Sequence, residues 1–137
     1  MSLRSRLAAE AVEFLHVGLL WLLVKPAFDP IDAAVSALPV SMTTQFWHSA
    51  VLAAVGVGVV RYYDPSWDLI RGFVVGVATT ATFLSLSVFS GAERAADAGG
   101  SWGAFVATCA CWFVALGVGV ALAHPRTWRR FRAYFAA

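Results

Sequence analysis

The chain has 137 residues, 60% of them hydrophobic and only 13% charged, with a formal net charge of +2. Soluble domains are about 45–50% apolar and about 25% charged, so this balance points to a membrane protein. It leaves no room for a separate water-soluble catalytic domain beside the apolar stretches.

Residues 7–25, LAAEAVEFLHVGLLWLLVK, are long and apolar enough for a first span. They also carry Glu10, Glu13 and His16, which fall within about a third of the helix circumference at 100° per residue. Ionisable groups in a membrane helix face a bundle interior or an aqueous cavity. The stretch lacks a small-x-small cleavage site, so it does not read as a cleavable signal peptide. It stops at Lys25-Pro26. Asp29-Pro30 then has the form of an N-cap and a first-turn proline. Ile31, Ala34, Val35 and Leu38 have the spacing of a short amphipathic helix lying at the interface.

A second span is expected over residues 43–60, with Gln45 and His48 near its start and Arg61, Tyr62 and Tyr63 as an anchor at its end. Asp64-Pro65-Ser66-Trp67 reads as another Asp-Pro helix start. The third span, residues 67–89, is rich in hydroxyls, which bond to carbonyls of the preceding turn or across to another helix. Ser90 and Glu93 have capping-box spacing, and Gly99-Gly100 is a break. The fourth span covers residues 101–123. In the tail, residues 124–137, Arg129, Arg130 and Arg132 lie beside Trp128, Phe131 and Phe135. That pattern suits an anionic lipid surface and is too short and aromatic for nucleic acid.

The expected fold is therefore all-α, a single four-span bundle in the cell membrane. Arg4, Arg6, Arg61, Arg71, Arg126, Arg129, Arg130 and Arg132 would lie on one side, and only Lys25 and Arg94 on the other. This bias puts both termini in the cytoplasm.

Two patterns bear on function. The first is a set of small-residue ladders with a four-residue step. Gly103, Ala107, Cys111, Ala115, Gly119 and Ala123 form the longest; Gly72, Gly76 and Thr80 form another. Small residues let helix backbones approach closely in lipid, within one bundle or against a partner. Cys109 and Cys111 point about 200° apart on a helix, so they cannot bridge each other and are expected to pack as small side chains. The second pattern is a pair of tetrapeptides, Glu13-Phe14-Leu15-His16 and Gln45-Phe46-Trp47-His48. Glu10, Glu13, His16, Gln45 and His48 are the candidate polar cluster or ion path, with Glu13 hydrogen-bonded to His16. Two histidines on facing helices can also ligate a haem. No metal site is expected, and no cofactor is assigned.

Gly72-Phe73 and Gly76, followed by Thr79-Thr80-Ala81-Thr82-Phe83, resembles the third-helix stretch of the small four-helix fluoride channels. The glycine-to-threonine spacing differs by one residue. Span two lacks that family's asparagine, and span one lacks its Gly-Ala-x-x-Arg pattern. The chain is not assigned to that family. The leading expectation is a non-enzymatic subunit or accessory protein that packs against copies of itself or a larger membrane partner. A proton or small-ion channel or transporter is the first alternative, and a haem- or quinone-associated anchor the second.

Overall fold

The computed structural model describes residues 3–39, 47–91, 94 and 100–135. Those residues are mostly helical, without strands. In chain order they form α1 (Leu3–Val24), a 3-10 turn (Lys25–Ala27), α2 (Pro30–Ser36), α3 (Trp47–Tyr63), α4 (Leu69–Ser90), α5 (Trp102–Ala123) and α6 (Pro125–Phe135). Among the described residues, three stretches are long and apolar enough to cross a membrane: Arg6–Ala27, Leu69–Ser90 and Trp102–Ala123. The helix α3 has 17 residues and is about 26 Å long at 1.5 Å per residue.

Local chemistry sets the helix ends. Pro26 has no N–H and stops α1, and the chain tightens so that Phe28 N donates to Lys25 O at 2.8 Å. Asp29 takes the position before α2, but its carboxylate does not cap that helix; it pairs with Lys25. The third long helix begins later than Asp64-Pro65. Asp68 is its cap and accepts from Arg71 N at 2.8 Å, while Asp64 closes a turn with Ser66. Gly91 ends α4 with φ 70°, the left-handed conformation that favours glycine. Ser101 caps α5 by accepting from Ala104 N at 3.0 Å. Pro125 forces His124 into the extended region, and the chain restarts as α6.

The helices α4 and α5 are antiparallel and closely packed. Arg71 ties their shared end: its Nε donates to Ala123 O at 3.0 Å, its Nη1 meets Asp64 Oδ2 at 3.1 Å, and its guanidinium stacks on Trp67. The helix α1 lies against α4 through Gly72 and Gly76, and runs antiparallel to α3. Trp21 Nε1 donates to Ala50 O at 3.0 Å, and Arg61 Nη2 meets Glu13 Oε1 at 3.0 Å. The core consists mostly of small residues. Ala27, Ala34, Ala37, Ala53, Ala104, Ala115 and Ala123 are all buried, with Leu20, Val24, Val57 and Val75 among them. Large apolar side chains instead cover the outside, as they do on a protein solvated by lipid.

The long small-residue ladder is only half in contact. Ala115, Gly119 and Ala123 are buried, but Gly103 is exposed and Ala107 and Cys111 are half-buried; Ala104 and Thr108 take over the buried face. A four-residue step turns about 40° around a helix, so five steps carry Gly103 to the opposite side from Ala123. Gly119 faces Val75 and Thr79 so closely that a Cβ there would meet the Thr79 hydroxyl. Gly119→Leu is therefore expected to destabilise the protein by about 1–3 kcal/mol, whereas Gly103→Leu is expected to be neutral. Equal unfolding midpoints for the two variants in detergent would contradict this packing.

Asp64 lies in the turn between α3 and α4. The Ser66 hydroxyl first, and Arg71 second, hold its pKa below the ordinary 3.8. A lowered folded-state value contributes stability that is present above the ordinary value and is lost as pH falls through the folded one. Asp64→Asn is expected to flatten the acid limb of a stability-against-pH curve and leave the neutral limb's shape unchanged. An acid limb identical to the parent's would remove Asp64 from that role.

Candidate functional site

The break after α1 sits where the sequence alone places an interface. Ala27 O accepts from Trp112 Nε1 at 2.8 Å, and the Thr80 hydroxyl shares its one proton between Gly76 O at 2.8 Å and Pro26 O at 3.1 Å. Thr80 and Trp112 each lie midway along a 22-residue helix. A break in the α-helical ladder between packed helices leaves carbonyls that need protein partners, and these two side chains supply them. From there α2 climbs along α5. At its far end Ser101 N donates to Ala37 O at 3.0 Å, and Gly100, with φ 72°, lies against the carbonyls of Ala37 and Leu38. The helix α1, the turn and α2 thus form one broken helix alongside α4 and α5. Pro30 and Ala34 are buried, so α2 does not lie flat at an interface.

Charged groups gather beside this break. Lys25 Nζ pairs with Asp29 Oδ1 at 2.5 Å, and their side chains remain 28% and 50% exposed. One turn further, Asp32 Oδ2 accepts from Ser49 Oγ at 2.6 Å. Its other oxygen, Oδ1, is buried, makes no hydrogen bond and faces His48 Nδ1 at 3.6 Å. The contact becomes an ion pair when His48 takes a proton. Lys25–Asp29 and Asp32–Ser49–His48 are therefore two separate contacts along the break, a group drawn from three elements. No charged side chain of α4 or α5 joins it among the described residues.

The five residues singled out from sequence do not come together. Glu13 pairs with Arg61, not with His16. His16 is half-buried, makes no hydrogen bond among the described residues, and lines an open groove of about 650 Å³ with Ala8, Ala9, Val12, Glu13 and Arg61. Glu10 is exposed on α1, and Gln45 lies outside the described residues. His48 is at the opposite end of α3 from Arg61, about 20 Å along the axis at 1.5 Å per residue. The antiparallel register set by Trp21–Ala50 and Glu13–Arg61 explains the separation. It also prevents His16 and His48 from serving as facing ligands of one haem.

Of the packing residues, Gly72, Gly76, Ala115 and Gly119 are buried between helices. Arg129 and Arg130 are exposed on α6, and Arg132 lies in the same helix. Sequence reasoning missed Lys25, Asp29, Asp32 and Ser49 as a group, because Lys25-Pro26 looked like the end of a span. One signal was available: the apolar run resumes with Ala27, Phe28, Ile31, Ala33, Ala34, Val35, Ala37 and Leu38. A continued run through two prolines marks an interrupted helix.

No protein-family model, curated protein or solved structure matches the chain.

Proposed function

We propose that this chain is a four-pass membrane protein of the cell membrane, with both termini cytoplasmic. We assign it the work of a non-enzymatic subunit packed against further protein. The observation that carries the reading is the Lys25–Asp29 pair, half-exposed and midway along two apolar helices of membrane-crossing length. A charge pair open to hydrocarbon is costly, so that face calls for protein or water. The span expected from sequence over residues 43–60 supplies the remaining pass, and the arginine bias sets the orientation. The arginines of α6 then meet anionic headgroups on the cytoplasmic leaflet. Native mass spectrometry after mild detergent extraction tests the assembly: a multiple of the chain mass, or a co-purifying membrane protein, is the expected result. A bare monomer would overturn it.

A second reading, passage of a proton or small ion, is favoured by one observation. The broken helix sets Asp32 and His48 beside each other, and interrupted helices are where many transporters bind their ions. Asp32→Asn should then abolish pH-driven flux in proteoliposomes. Undiminished flux in that variant, or none in the parent, would rule this reading out.

A further inference from the structure

We propose that a second copy of this chain docks on the exposed face of the broken first helix. There, Lys25 and Asp29 of the two copies close a ring of four charges around a two-fold axis. The inference rests on the assembly reading above and names its partner. Asp29, Ala33 and Ser36 are spaced at four and three residues along one side of α2, and all three are exposed. Lys25 adjoins this stripe through its pair with Asp29. Small side chains at positions 33 and 36 let two such helices approach closely.

The charges identify the occupant. One base and one acid a turn apart form a face of zero net charge that is complementary to itself. A two-fold rotation sets each lysine between its own aspartate and its neighbour's. A purely basic or purely acidic partner would satisfy one of the two groups and repel the other. Asp32 does not compete, because its carboxylate is turned to Ser49 and His48. The other described ion pairs, Glu13–Arg61 and Asp64–Arg71, lie toward the opposite end of α3 and cannot reach the face. The arginine bias gives both copies one orientation, so the axis runs along the membrane normal and the two α2 helices are parallel.

Charge exchange tests the ring. Labelled protein is reconstituted in phosphatidylcholine–phosphatidylglycerol vesicles, and copies per complex are counted by photobleaching. Lys25→Asp alone gathers four acids at the axis, and Asp29→Lys alone gathers four bases. Each is expected to reduce association about tenfold, as like charges replace opposite ones. Co-reconstituting the two single variants places two acids opposite two bases and should restore complexes containing one of each. The double variant Lys25→Asp/Asp29→Lys keeps both kinds of pair and should associate like the parent. It also shows that the face tolerates exchange without loss of folding. If the single variants fold poorly, the neutral pair Lys25→Gln/Asp29→Asn should still lose association. Restoration by mixing is the signature that a pair closed within one chain could not give. Parent complexes that persist in every variant would overturn the ring while leaving an assembly in place. A monomeric parent would overturn both.

Discussion

Gly76→Leu is expected to be the most damaging single change in the membrane core, lowering stability by about 3 kcal/mol or preventing assembly of the bundle. A Cβ at this position would run into the backbone carbonyl of Leu23, with Pro26 Cδ also within reach. A backbone carbonyl cannot rotate away as a side chain can. The cost would fall on the position of α1 against α4, and with it on the break that follows. Gly72 provides an instructive contrast, because its Cβ would meet the flexible end of Leu20, which can move. Gly58→Leu on α3 is a fair control, since nothing lies within 4 Å of a Cβ there. Thermal unfolding in detergent should rank Gly76→Leu well below Gly72→Leu, with Gly58→Leu near the parent. Indistinguishable midpoints would mean that α1 and α4 do not touch at this glycine.

The second large effect is expected from the two side chains that hold the break. Among the described residues, Trp112→Phe removes the only side-chain donor to Ala27 O, and Thr80→Val removes the one to Pro26 O. Ala27 is fully buried, so its carbonyl would be left without a partner and without water. Stranding that buried carbonyl costs about 1–3 kcal/mol. Thr80→Val is expected to cost less, because Pro26 is only partly buried and the Thr80 hydroxyl also bonds Gly76 O. Phe fills most of the indole's space beside Phe28, so the loss comes chiefly from the hydrogen bond. Both variants should also speed hydrogen exchange along α2 before the bundle unfolds. Trp102→Phe, at an exposed position on the same helix, should do neither. Unchanged exchange in α2 for Trp112→Phe would show that the break holds itself.

The second of these expectations concerns a feature that the residue pattern alone could not reveal. Hydropathy and helix punctuation were enough for the elements. Three long apolar helices of membrane-crossing length, a short helix after Asp29-Pro30 and a basic terminal helix were legible, because apolar runs and missing proline N–H groups act locally. The close approach at Gly72, Gly76 and Gly119 was legible too, since small residues in a membrane helix have few other uses.

Register was not legible, and register decides the candidate site. Glu13 and His16 share a helix face, which made them look like partners. In the structure α3 runs past them in the opposite direction and brings Arg61 to Glu13, whose carboxylate takes the guanidinium in a charge-assisted contact. His48 is carried to the other end and meets Asp32 instead. The same limit applied to the ladder of α5, whose four-residue step looks straight in sequence but winds off the contact face. Local composition determined which segments are helical and apolar. Only the antiparallel packing decided which polar groups meet, because residues 17 or 48 positions apart become neighbours through the whole set of helix contacts.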